Sequence, residues 1–150
     1  MTLLDAPAYD ARKARLIRNT ILTAVIAIVV LGVSGFLLRH WPAEHRLNTF
    51  FAAVESQDLK KAFAIWNNDP NWEQHPQQYK DYNFATFSKD WGPASDYGVI
   101  RSHTILMTTT VGNGTVMGVD INGGKTPIFL RVDDKNKTVG FSPVELYTGP

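Results

Sequence analysis

The chain reads as an α+β protein: a single N-terminal transmembrane helix, then a head built helix-helix-helix plus a four-stranded antiparallel meander. Three observations predict it. Residues 19–38 run about 20 positions without a charge, mostly Ile, Val, Leu and Ala, enough to cross a bilayer's hydrocarbon core once as a helix. Apolar residues then recur at helical spacing over 42–91. After Tyr97 the period becomes alternating, with turn residues at regular intervals. The expected division is a basic tail over 1–18, a membrane helix over 19–41 and an α+β head over 42–150.

The flanks of the span set its expected orientation, because Lys and Arg near a membrane segment stay on the cytoplasmic side. Arg12, Lys13, Arg15 and Arg18 precede it, and only Arg39 and Arg46 follow closely. A cytoplasmic N-terminus and an external head result, the head being periplasmic if the cell is a Gram-negative bacterium and the span lying in its inner membrane. Trp41 suits the headgroup level, with Pro42 as a stop. The segment 11–18 is basic and helix-forming, so it either extends the membrane helix among anionic lipid headgroups or acts only as a topogenic signal.

A cleaved signal peptide is the competing reading, with Val33-Ser34-Gly35 as small residues near a processing site. Against it, the apolar stretch exceeds a typical signal core, and cleavage there would leave Phe36-Leu37-Leu38 at the new N-terminus. The chain has no cysteine, which excludes lipoprotein processing, disulfides, thiolate metal sites and thiol nucleophiles.

On a helical wheel, Thr20, Ala24, Ala27, Leu31, Ser34 and Gly35 share one face of the span. Small residues on one stripe let a second helix approach closely, so this face is a candidate packing surface for another membrane subunit or a second copy. No ionisable residue interrupts the span, which argues against ion or proton conduction.

In the head, Pro42 opens a helix carrying Leu47, Phe50, Phe51 and Val54, and Ser56-Gln57-Asp58 breaks and recaps the chain. Leu59, Ala62, Phe63 and Trp66 then form one face of a second helix, ended by Asn67-Asn68-Asp69-Pro70. Phe84, Phe87 and Trp91 predict a short third helix before Gly92-Pro93. Strands are expected at 99–111, 115–121, 126–132 and 138–142. Met117, Val119 and Ile121 must share a face with Ile128, Leu130 and Val132, which a Gly123-Gly124 turn allows. Keeping Ile105 and Met107 on that face calls for a three-residue first loop, with Gly114 at positive φ in a bulge.

The segment Phe50-Phe51-Ala52-Ala53-Val54-Glu55-Ser56-Gln57-Asp58-Leu59-Lys60-Lys61-Ala62-Phe63 resembles the opening helix pair of the nuclear transport factor 2-like superfamily, and three helices before a curved meander resemble its cone-shaped fold. Asp90-Trp91-Gly92-Pro93 and the terminal Phe141-Ser142-Pro143 also resemble uncharacterised bacterial envelope proteins. The superfamily hosts isomerases, dehydratases, transport adaptors and scaffolds, so the resemblance implies a fold without choosing an activity. Its enzymes place an Asp or His base inside the cone. His103, with the inward parity of Ile105 and Met107, is the candidate here, set against a partly buried, hydrogen-bonded structural His; Asp120 falls on the opposite face as a solvated residue.

The four histidines show no ligand spacing, so neither a metal nor another cofactor is expected. The glycines fall in hairpin turns and not at the start of a helix, which removes a phosphate cradle. From Ala43 onward, about 10 basic against 12 acidic side chains disfavour nucleic acid. Trp66, Trp72, Tyr79, Tyr82 and Trp91 either fill a small core, dock a protein partner or stack on a small ligand. With membrane lipid and membrane subunits as partners, the expected function is a non-catalytic accessory or scaffold subunit of a bacterial inner-membrane complex. The alternatives are a tethered small-ligand binder or isomerase-like enzyme using the cone, and a scaffold similar to those of type IV secretion machines, whose heads are longer.

Overall fold

Asp10 starts the first helix: its side chain accepts from the backbone N–H groups of Arg12 and Lys13, so α1, Ala11–Leu37, opens inside the expected tail. The computed structural model describes residues 10–146; 1–9 of the tail and 147–150 of the head lie outside them. The chain divides into two units, Met1–Arg39 and His40–Pro150. At 27 residues α1 is about 40 Å long. It is long and apolar enough to cross a membrane. The helix ends at Leu37, short of the expected 41, and the Arg39 guanidinium lies 4.3 Å from the centre of the Phe36 ring.

Trp41 begins the next helix and does not close the first: α2, Trp41–Glu55, has Pro42 in its first turn, where a missing N–H removes no helical bond. Gln57, at φ 60°, turns the chain, and the Asp58 side chain accepts from Lys61 N–H to cap α3, Leu59–Asn67. Asn68 ends α3 in the left-handed region, φ 51°. The Arg46 guanidinium of α2 donates to the Ile65 carbonyl (2.8 Å) and to Asn68 Oδ1 (2.7 Å), joining the two helices at the C-terminal end of α3. Two 3₁₀ turns, Trp72–Gln74 and Pro76–Tyr79, lead to α4, Phe84–Trp91, which Asn83 caps by accepting from Thr86 N–H. Gly92 follows because a Cβ there would run into the Ser88 carbonyl.

Four strands follow, β1 His103–Val111, β2 Gly114–Ile121, β3 Ile128–Asp133 and β4 Val139–Phe141, paired antiparallel in chain order. The expected meander is therefore present, but β1 starts four residues later than its pattern suggested. Asn122, at φ 55°, accounts for that delay: its side chain accepts from Arg101 and Ser102 N–H and donates to the Tyr97 and Val99 carbonyls, holding 97–102 outside the ladder. The second turn is centred on Asn122-Gly123, both at positive φ, and not on Gly123-Gly124.

The first hairpin solves its parity problem differently from expectation. Val111 pairs with Gly114, leaving a two-residue turn in which Gly112, not Gly114, takes the positive φ. The extra residue sits within β1 instead, as a bulge at Leu106 between the pairs Ile105↔Val119 and Met107↔Gly118. Ile105 and His103 thus face inward with Val119 and Ile121, whereas Met107 lies on the outer face, against the expected inward position. Asp120 is on the outer side as expected, but it is only partly exposed, and its Oδ1 is buried without a hydrogen bond. It is not the solvated residue anticipated.

Helices cover the inner face. Leu47, Phe50, Phe51 and Val54 of α2, Ala62, Phe63 and Trp66 of α3, and Phe87 and Trp91 of α4 are buried in one cluster with Met117, Val119, Leu130, Val132 and Val139. The ring of Phe50 lies 5.0–6.1 Å from those of Phe51, Trp66, Phe87 and Trp91. Most of these contacts are edge-on or tilted, the arrangements that ring quadrupoles favour.

Candidate functional site: the anchor helix and the His103 clasp

None of the residues of α1 is buried. Leu22, Val25, Ile26, Val29, Val30 and Phe36 are each more than half exposed. A soluble helix hides an apolar stripe; one apolar all round needs an apolar solvent or partner. Along the small-residue face, a Cβ built at Gly35 meets nothing within 4 Å, and Leu31 is 72% exposed, so the stripe Thr20, Ala24, Ala27, Leu31, Ser34 and Gly35 is open to close approach. Thr20 and Ala24 are exposed alongside it.

His103 opens β1 facing the helices. Its ring stacks on Phe51 with centroids 4.5 Å apart, Nδ1 lies 2.6 Å from Glu55 Oε1, and Nε2 lies 2.8 Å from Asn48 Oδ1. Farther along the strand, Thr108 Oγ1 donates to Glu44 Oε1 at 2.6 Å. Glu44, Asn48 and Glu55 all belong to α2, so this polar row clasps the helix to β1. A general base needs a nitrogen directed at a substrate proton. Both nitrogens of His103 are engaged within the protein, one by a carboxylate and one by an amide oxygen. Sequence reading found His103 but not its partners: Glu55 is 48 residues away and Asn48 55, and no local spacing connects them.

The aromatic block divides by depth. Trp66 and Trp91 are 5% and 1% exposed and belong to the core. Trp72, Tyr79 and Tyr82 are half-buried against it, Trp72 stacking on Phe84 at 5.0 Å. Two tyrosines reach carboxylates: Tyr79 donates to Asp69 Oδ2 at 2.7 Å and Tyr82 to Asp90 Oδ2 at 2.8 Å. Burial, then the hydrogen bond to Asp69, pushes the Tyr79 hydroxyl up to about 12, and the same causes raise Tyr82 through Asp90. The Tyr79 bond in turn holds Asp69 below its ordinary carboxylate range.

A surface cleft of about 460 Å³ lies beside α4, lined by Asp90, Trp91, Asp96, Tyr97, Ile128 and Phe141 among others. The space enclosed by helices and sheet is by contrast occupied by Phe50, Phe51, Phe63, Phe87 and Met117, all fully buried. No protein-family model, curated protein or solved structure matches the chain at a significant level.

Proposed function

We propose that this chain is a single-pass membrane protein whose head serves as a non-catalytic accessory or scaffold module in a bacterial inner-membrane complex. The observation that carries the reading is the contrast between an apolar helix with no buried residue and a head whose interior is packed with aromatic rings. An enzyme of cone type keeps a cavity for its substrate; here rings take that space. The order of three head helices and a meander accords with the resemblance to the nuclear transport factor 2-like superfamily, which rests on that order and on residues 50–63. In this reading Arg12, Lys13, Arg15 and Arg18 keep the N-terminus cytoplasmic, and the head is periplasmic. Lipid surrounds the bulky side of α1. Another membrane subunit or a second copy meets its small-residue stripe.

A tethered small-ligand binder is the second reading, favoured by the cleft at Asp90, Tyr97 and Phe141. One experiment separates the two. The full-length protein is extracted from native membranes in mild detergent, and a native gel is followed by mass spectrometry of the co-migrating chains. A defined set of membrane subunits, lost when Ala24, Ala27 and Gly35 are all replaced by Leu, is the expected result. Migration of both forms without partners overturns the scaffold reading.

A further inference from the structure

The two edges of the sheet are unequal. At one side β4 has three residues and is soon followed by Pro143 and Glu145, which limits strand pairing. On the opposite side stands β1, nine residues long, whose one strand partner among the described residues is β2. From Thr104 to Val111 it carries neither a charged side chain nor a proline, and Thr, Ile and Val dominate. Natural edge strands are normally blunted by a charge, a proline or a bulge. β1 has the bulge at Leu106, which protects its first half, and at its far end the Arg131 guanidinium donates to the Val111 carbonyl at 2.7 Å; Met107–Thr110 between them carry no such guard.

The register identifies which backbone groups are free. In an antiparallel ladder, alternate residues direct N–H and C=O to the same neighbour. The two-residue turn makes Val111↔Gly114 a hydrogen-bonded pair, so Thr109 and Met107 also bond to β2. Thr108 and Thr110 point their backbone groups away from the sheet, and neither has a backbone partner among the described residues.

We infer that this edge is where a second copy of the chain pairs, antiparallel about a two-fold axis at Thr109, joining two four-stranded sheets into one. The symmetry sets Thr108 opposite the second copy's Thr110, with hydrogen bonds in both directions. Thr109 meets its own counterpart, and Met107 meets Val111. Every pair is Thr on Thr or apolar on apolar, the kind that stabilises neighbouring strands, and no like charges oppose each other. That self-match selects a second copy over a charged extended segment of another protein. Pairing one β1 on another also consumes both long edges and closes the assembly, whereas β1 on β4 would leave edges open.

The absence of cysteine makes the test clean, because an introduced thiol is the chain's only one. Seen from the second copy, Thr109 occupies a non-hydrogen-bonded pair, with Cα atoms about 4.5 Å apart, within disulfide range. Full-length Thr109→Cys, oxidised in membranes and resolved without reductant, is expected to give a disulfide dimer at roughly ten times the yield of Lys125→Cys in an exposed turn. Adding Thr110→Pro removes an edge N–H that β2 does not use, and should abolish that dimer while tryptophan fluorescence stays native. Equal yields at 109 and 125, a dimer that survives Thr110→Pro with native fluorescence, or a Thr109 adduct with a different protein each overturn the inference. A homodimer crosslinked at 109 stands whether or not other subunits co-migrate, so this test is independent of the scaffold reading.

Discussion

The two units of this protein spend the same kind of side chain in opposite ways. α1 displays Ile, Val and Leu around its whole circumference and buries none of them, whereas the nine residues of α3 bury Ala62, Phe63 and Trp66 along one face. Burying apolar area removes it from water at roughly 25 cal/mol per Å², so a helix that leaves so much exposed calls for an apolar medium or an apolar partner. The head answers the same requirement internally, with rings packed on rings. Chemistry of the side chain does not separate the two regions; periodicity does. Helices α2 and α3 alternate apolar with polar faces, and α1 does not between 20 and 37 apart from Thr20, Thr23 and Ser34.

The contrast is broken most severely at Phe50, which is fully buried and touches four other rings. Phe50→Ala is expected to cost about 3–5 kcal/mol, a large part of a small domain's stability. Thermal melting followed by near-ultraviolet circular dichroism should show the head unfolding far earlier while the protein still sediments with membranes. Retention of the wild-type melt would mean that the ring cluster is not the core.

The reciprocal change is Val29→Arg, near the middle of α1 on its exposed surface. A charge at the centre of a span costs about 2.5–3.5 kcal/mol of insertion, so part of the protein should move to the soluble fraction with an unchanged head melt. If the variant head loses stability, α1 is not an independent unit.

The smallest effect is expected at the surface pair Tyr79–Asp69, which pins the 3₁₀ turns to the end of α3. Tyr79 has a folded pKa raised to about 12, above its ordinary value near 10, so its contribution is complete below about 10 and is lost as pH rises toward 12. Asp69 is shifted the other way: its depressed value adds stability above the ordinary carboxylate range and loses it as pH falls below that range. Tyr79→Phe should lower stability modestly at neutral pH and flatten the alkaline side of a stability-against-pH curve, because the contribution that alkali removes is then already missing. An unchanged alkaline slope would assign that loss to other groups.

Much of this architecture was legible because it depends on local pattern. An uninterrupted apolar run announced α1, i to i+3 and i+4 recurrence announced α2, α3 and α4, and alternation broken by glycine and asparagine announced four strands in meander order. Side chains placed close in sequence carried that information. The tertiary structure alone decided where the extra residue of the first hairpin went. Both a three-residue loop and a bulge keep Ile105 on the face of Val119, and the observed bulge at Leu106 sends Met107 outward.

It also decided the state of His103. Strand parity could turn its ring inward, but whether the nitrogens met substrate space or Glu55 and Asn48 depended on how a helix about 50 residues earlier crosses the sheet. The same holds for β1's edge: the residues 104–111 identify an uncharged strand, while its having no strand beyond it among the described residues is a property of the assembled sheet. Sequence by itself determined the elements, their order and the helix able to span a membrane, since these follow from backbone geometry and the periodic placement of apolar groups. Tertiary structure determined which polar groups meet and which remain unpaired, because those contacts link positions that no period connects.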